Sequence, residues 1–271
     1  MVAPSSMSAP PKGTVERWAW DFILTNELSH KLSPPALPSV WETNAPPRRI
    51  DVPGRPTELV AAKKRFKTPG PNALRDPKRR AELLHVFLHH ELQAAELMCR
   101  ALLLFIDREP AFRRGLLRIA QDEVRHMTMY EQHLRTLGSF YGAFPVRDWF
   151  WERVPRAEDA TAFVATMGIG FEGANLDHTQ RFSEAFRAAG DEEGARLQEL
   201  VGDEEIPHVR FATQWYTRWT GATDFESWRM SLPRPLSPIV MRGAPIDRAR
   251  RTRAGLNERF VHALEAFLPE Y

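Results

Sequence analysis

The sequence predicts an all-α protein built around a four-helix bundle, and three observations carry that prediction. Helix-forming Ala, Leu, Arg and Glu dominate the middle of the 271-residue chain, while β-branched runs with period-two alternation are missing. Four long segments, about 79–107, 110–138, 157–189 and 191–220, repeat apolar residues in steps of three and four, the period of one helix face. Connections are short within each pair of segments and longer between the pairs, as in a bundle.

Taken in order, residues 1–12 are Pro, Ser and Ala with little to bury, which predicts disorder. The stretch "TVERWAWDFILTNELSHKL" predicts a short amphipathic helix anchored by Trp18, Trp20, Phe22 and Ile23. From about 33 to 78, Pro and Gly break every pattern and predict an irregular strap. Pro110 suits the first turn of the second long helix. Gly138 and Gly190 suit the ends of the second and third. After 220 the chain returns to loops, "SLPRPLSPIVMRGAP", before a final helix near 247–267. The expected organisation is therefore an N-terminal helix and basic strap over 1–78 packed on the bundle, the bundle over 79–220, and a C-terminal loop-helix extension over 221–271.

Hydrophobic residues make up 43% of the chain, including eight Trp and sixteen Phe, enough for a well-filled core. A single cysteine, Cys99, excludes an intrachain disulfide and any Cys-rich metal site, and its place beside Met98 and Leu102 is that of a small core residue. No apolar stretch approaches the ~18 residues of a membrane span. The opening "MVAPSSMSAPPKG" lacks a hydrophobic signal region, so the expected location is cytoplasmic, with no membrane partner. Charge is segregated: residues 48–80 carry eleven Lys/Arg against three acids, and residues 81–220 carry fifteen against twenty-two. The basic stretch can strap across the acidic centre of its own chain or meet an external anion. Pro and Gly fill it in place of regularly interleaved aromatic stacking platforms, which favours the strap.

Each long helix interrupts its apolar stripe near the middle with ionisable groups. The first stripe is Leu84, Leu88, Glu91, Ala95, Met98, Leu102, Phe105, and the second is Leu116, Ile119, Glu123, His126, Tyr130, Leu134, Leu137. The third is Ala165, Ile169, Glu172, Leu176, Thr179, Ser183, Phe186, and the fourth is Leu197, Val201, Glu205, His208, Ala212, Trp215, Trp219. Carboxylates and imidazoles do not belong in a dry core unless something holds them there. The pattern also repeats: Glu91 to Glu172 is 81 residues, and Glu123 to Glu205 and His126 to His208 are each 82. Two copies of a helical hairpin, each with a Glu and a Glu-x-x-His, place four carboxylates and two imidazoles at one depth. Such a set suits two divalent metals, whose charge compensates carboxylates that otherwise repel. Glu96 competes with Glu91 but lies roughly 140° around the helix and off the stripe.

Several neighbours have two readings. Asp122 and Glu204 each precede a ligand Glu and can hold a ligand imidazole N–H, or can be solvated charges. Tyr130, one turn past His126, is a core aromatic or a second-sphere redox or hydrogen-bonding residue. Gly168, Gly170 and Gly173 around Glu172 leave room for substrate or dioxygen, or allow close helix packing. Pro207, inside the second Glu-x-x-His, is expected to kink or bulge the fourth helix. His85, His89, His90 and His178 show no partner spacing and are expected at surface or satisfied positions.

The order Glu, E-x-x-H, Glu, E-x-x-H resembles the ligand set of the ferritin-like superfamily of dinuclear carboxylate proteins. The stretches "HVFLHHELQAAELM", "DEVRHMTMYEQHLRTLGSFYGAFPV", "GFEGANLDH" and "DEEIPHV" are similar to the ferritin-like group labelled "domain of unknown function 455". The similarity extends to "ERWAWDFILTNELSHKL", "VPGRP" and the Arg-rich tail, most of the chain. The resemblance implies a ferritin-like fold and the metal ligands Glu91, Glu123, His126, Glu172, Glu205 and His208. It implies two iron ions, with manganese or a mixed pair as the alternative, but no particular substrate.

Three functions follow as expectations. The first is a di-iron oxidase or oxygenase that activates dioxygen for an unknown substrate. Its electron donor must be external, since the chain has no Cys-rich rubredoxin-like site and no G-x-G-x-x-G. The second is a ferroxidase or peroxide scavenger using the same ligands; the long appendages on both sides of the bundle count against a storage cage. The third is an RNA- or anion-binding module with structural metals. The tail "RGAPIDRARRTRAGLNERF", with six Arg against two acids, keeps this reading open, including a tRNA-directed hydroxylase.

Overall fold

The structure, a computed structural model, describes residues 8–63 and 68–268. Ten α-helices are present among them: α1 (Val15–Leu24), α2 (Leu28–Leu32), α3 (Pro77–Leu104), α4 (Pro110–Thr136), α5 (Ala160–Phe163), α6 (Gly173–Ala188), α7 (Glu192–Thr220), α8 (Phe225–Met230), α9 (Arg248–Arg253) and α10 (Glu258–Ala266). A π-helical stretch, Val164–Glu172, joins α5 to α6, so the third long segment is continuous but not uniformly α. No strand forms among the described residues, only isolated bridges at Thr14–Val40 and Ala61–Val146. The chain is all-α, as its periodicity predicts.

Side-chain caps start the long helices where the sequence allows: Asp76 accepts from Lys78 N, Asp159 from Ala162 N and Asp191 from Gly194 N. Gly138 and Gly190 take the left-handed conformation, φ 72° and 77°, that ends the helices before them. α3 packs on α4, the π stretch and α6 pack on α7, α4 meets α7, and α1 lies against α3. The stripes of α3 and of the π–α6 segment are buried throughout. At the far end of α7 burial shifts by one residue: Tyr216 is enclosed, while Trp215 and Trp219 are half-buried beside Phe112.

Five expectations need correction. Residues 8–12 are exposed except for the buried Pro10, yet they are tethered, since Arg48 Nε donates to the Ser8 carbonyl at 3.0 Å; residues 1–7 lie outside the described residues. The N-terminal helix is two helices, since Thr25 turns extended and its hydroxyl takes the Glu27 N–H at 3.1 Å. α7 carries no bulge at Pro207, staying α-helical from Glu192 to Thr220, and the π-helical departure falls instead on the third segment. There Gly173 N–H reaches back five residues to Gly168 O, in a Gly-rich stretch that holds α geometry weakly. The tail contains α8 and a 3-10 turn at Pro238–Met241 as well as loops. Its last helix is split at Gly255, φ 92°, after which the Asn257 side chain starts α10.

Two buried acids fasten the appendages. Glu96 accepts from Lys31 Nζ at 2.7 Å, from Arg55 Nη1 at 2.6 Å and from Trp151 Nε1 at 2.8 Å. Asp177 accepts from Arg251 at 3.0 and 2.8 Å and from the backbone N–H of Gly243 and Asp247 at 2.7 and 2.8 Å. Each stands five positions beyond the lone Glu of its hairpin, Glu91 or Glu172. One acid therefore binds the N-terminal segments and the other the C-terminal extension. Arg55 of the basic strap also pairs with Asp148, and Arg80 with Asp191, so these two cations meet acids of the same chain. Lys64, Arg65 and Lys67 of that stretch lie outside the described residues.

Candidate metal centre

α3, α4, the π stretch and α7 bring Glu91, Glu123, His126, Glu172, Glu205 and His208 to one buried place. Glu123, His126 and Glu205 are fully enclosed, 0% exposed. Ligand atoms of Glu91, Glu123, His126 and Glu205 lie within 4.8 Å of one another, and so do those of Glu123, Glu172, Glu205 and His208. Glu123 and Glu205 belong to both groups. Each group adds one lone Glu and one His, which is the division of labour for two ions bridged by two carboxylates.

Both imidazoles turn Nδ1 inward. His126 Nδ1 is 3.2 Å from Glu123 and 3.6 Å from Glu91, and His208 Nδ1 is 3.0 Å from Glu123 and 3.1 Å from Glu205. Their outer nitrogens are held across the helix pair: His126 Nε2 donates to Glu204 at 2.8 Å, and His208 Nε2 to Asp122 at 3.2 Å. Arg125 ties the two clamps together, reaching Asp122 at 2.9 Å and Glu204 at 2.7 Å. A proton fixed on Nε2 leaves Nδ1 as the coordinating atom. The hydrogen bonds to these imidazoles, first among the causes, hold the Asp122 and Glu204 carboxyls below the usual range.

Burial and mutual proximity set the protonation of the cluster. Burial, then the neighbouring Glu123, holds the Glu91 carboxyl well above the usual range, and burial, then Glu205 and Glu123, does so for Glu172. Burial opposes charge on Glu123 too, but hydrogen bonds from Glu91, His126 and His208 hold it well below. Burial works against protonated imidazoles, yet hydrogen bonds to Glu123, Glu204 and Glu91 hold His126 high, and those to Asp122, Glu123 and Glu205 hold His208 high. Without metal the site is thus knitted by protons. Glu172 Oε1 is nevertheless a buried acceptor with no hydrogen-bond donor, and Glu123 Oε1 has only His208 Nδ1 beside it, at 3.0 Å. Four carboxylates and two neutral imidazoles balance two divalent ions in charge, and the donor types suit iron or manganese.

Tyr130 lies buried beyond His126; its hydroxyl accepts from Gln198 Nε2 at 3.1 Å, and burial, then Glu91, holds its proton on. It makes no hydrogen bond to any of the six ligands. Gly168 serves close packing, since a Cβ there would meet Ala212 Cβ at 2.2 Å. Glu96 is held in its own ion-pair network by Lys31 and Arg55. Sequence reasoning missed Arg125, Gln198 and Asn175, whose Nδ2 donates to Glu205 Oε1 at 3.3 Å. Their partners Glu204, Tyr130 and Glu205 lie 79, 68 and 30 residues away, beyond any periodicity signal. It also missed that His85, His89 and His90 of α3 line one cavity with His178, which is remote from them in sequence.

Fold and site together define an all-helical protein with a buried, pseudo-symmetric carboxylate–histidine cluster. The family model described as "Protein of unknown function (DUF455)" matches residues 12–262, and the chain belongs to that family. It is 28% identical over 144 residues to an uncharacterized protein of Haemophilus influenzae (strain ATCC 51907 / DSM 11121 / KW20 / Rd), a match covering 50% of each chain. The chain thus spans about half the length of that curated relative. No solved structure matches it. No helix among the described residues is long and apolar enough to cross a membrane.

Proposed function

We propose that the chain is a ferritin-like four-helix bundle that holds two iron ions, with manganese or a mixed pair as the alternative, and uses dioxygen or peroxide to oxidise or hydroxylate a substrate. The observation that carries this reading is the sorting of six buried ligands into two groups that share Glu123 and Glu205. A cation held there would take up the acceptor left over at Glu172. If held by these six residues, two redox-active ions would supply the electron-transfer chemistry toward oxygen, with an external donor as the source of electrons.

The protein's own part follows from its side chains. Glu123 and Glu205, common to both groups, would be shared by the two ions, with Glu91 and His126 completing one set and Glu172 and His208 the other. Glu204 and Asp122 fix the tautomers of His126 and His208, so neither ring can turn away from its ion. Arg125 neutralises the carboxylate pair that grips them. Enclosure of the ligands excludes bulk water, which strengthens every charge interaction in the site. The anion-binding alternative has less to work with in the tail. Arg248, Arg250, Arg251 and Arg253 pair with Glu265, Asp203, Asp177 and Asp203 respectively.

Metal analysis of protein purified without added metal, with an anaerobic ferrous spectrum followed into air, tests the proposal. Two irons per chain and a transient oxygen-dependent absorbance are the expected result. Zinc alone, or no metal and no change in air after ferrous loading, would overturn it.

A further inference from the structure

Beside the metal ligands lies a cavity of about 340 Å³, at the small end of the range that holds organic ligands. Three links tie it to the centre. His90 and Phe171, which line it, immediately precede Glu91 and Glu172. Asn175, also in its wall, donates to Glu205.

Its hydrogen-bonding capacity is largely unspent. His89 is satisfied by the Tyr141 hydroxyl at 2.6 Å and Asp148 at 3.1 Å. The other three imidazoles are not. Gly142 N–H donates to His85 Nε2 at 2.9 Å, which places the ring proton on Nδ1, a buried donor with nothing to donate to. His178 Nδ1 is likewise buried without a partner. His90 makes no hydrogen bond among the described residues and stacks on Phe150 at 4.9 Å. Buried polar groups are rarely left in this state unless a ligand or water completes them.

The cavity also lacks charge to offer. No acid lines it, and Arg147, its one formally charged lining residue among those described, is held by Glu152 at 3.2 and 2.7 Å. Burial holds the His85 and His178 imidazoles down to about 4, so both are neutral hydrogen-bonding groups at neutral pH. Phe150 and Phe171 stack at 5.1 Å, and Trp149 meets both edge-on. Such a wall complements another flat ring.

We infer that this cavity binds an uncharged aromatic compound bearing a hydrogen-bonding substituent, the simplest case being a phenol, with its ring among Phe150, Phe171 and Trp149 and its polar group on the free imidazoles. That the compound is a substrate rests on the di-metal reading above; that it binds does not.

Calorimetric titration of the full chain with phenol, benzoate, benzylamine and toluene, before and after metal loading, tests the inference. Phenol is expected to saturate at one per chain in both states, at least tenfold more tightly than benzoate or benzylamine. Val86→Trp fills the cavity and should weaken phenol binding at least tenfold. His178→Leu should weaken phenol at least fivefold and leave toluene unchanged, and it keeps the inference testable if Val86→Trp does not fold. Both variants should keep the parent metal content. Absence of saturable phenol binding, equal binding of the charged compounds, or unchanged phenol binding in His178→Leu overturns the inference. Phenol binding in a chain that takes up no metal would instead sink the di-metal reading and leave the cavity assignment standing.

Discussion

Glu204 on α7 accepts the Nε2–H of His126 on α4 at 2.8 Å, and Asp122 on α4 returns the arrangement to His208 on α7 at 3.2 Å. Neither acid touches a proposed metal position, yet each decides which imidazole nitrogen is free to coordinate. Glu204→Ala and Asp122→Ala should therefore lower metal affinity, by roughly 10–100-fold for each clamp lost. Chelator competition followed by metal analysis measures this. Unchanged affinity in both variants would show that the clamps are ornamental.

The two ligand groups are not equivalent in what each residue supports. Glu91 belongs to one group only, Glu123 to both. Glu91→Ala is expected to leave about one metal per chain, while Glu123→Ala with His208→Ala should remove most of both. The apolar residues next to these positions on the stripes, Leu88, Ile119, Ile169 and Val201 among them, are buried, so the far-ultraviolet dichroism should stay helical. Two metals retained by the double variant would refute the ligand set.

The metal-free site has a definite pH response. The carboxyls of Glu91 and Glu172 are held above their ordinary value of 4.5 and the imidazoles of His126 and His208 above 6.5. Groups with raised values bind more protons folded than unfolded, so their stabilisation is full below the unfolded value and is lost as pH rises through the folded one. Glu123 is depressed and matters only as pH falls below about 4.5. Metal must displace the same protons, so its affinity rises with pH. Between about pH 5 and 8 the metal-free protein should lose stability while the increase in Tm on metal loading widens. Thermal scans of both forms across that range check the sign, and a loading effect that narrows with pH would contradict it.

The helices and the six-residue cluster are legible in the sequence because both are written in local period. A buried stripe repeats every three or four residues whatever the rest of the chain does, and Glu91, Glu123, His126, Glu172, Glu205 and His208 interrupt it at matching depth. What is illegible depends on contacts between distant segments. Pro207 reads as the irregular point, yet the π stretch forms at Val164–Glu172, whose Gly168, a weak α-former, faces Ala212 of α7 at a distance that admits no side chain. His85 and His89 stand one helical turn apart beside His90, but nothing in the sequence joins them to His178, and only the packing of α3, α6 and the 145–150 loop places all four around one cavity. The ion pairs that consume Arg55 and Arg251 are equally non-local, so a basic stretch and a basic tail look like surfaces for an external anion until folded.

Glu96 and Glu91 separate cleanly by experiment, because Glu96 is held by Lys31 and Arg55 of the chain itself while Glu91 is a proposed ligand of external cations. Glu96→Ala strands Lys31, whose side chain is wholly buried, and removes the acid shared by Arg55 and Trp151. Burial already lowers the affinity of Lys31 for its proton, so an unpaired ammonium there is strongly disfavoured. The expected loss is about 3–5 kcal/mol, typical for breaking one partner out of a buried pair. Because Glu96 lies off the metal stripe, the metal content of the folded fraction should remain that of the parent chain. Glu91→Ala should do the reverse, with little loss of stability and a clear loss of metal. Urea unfolding alongside metal analysis reads both effects in one series. A Glu96→Ala protein that keeps its stability but loses metal would move the ligand from position 91 to position 96.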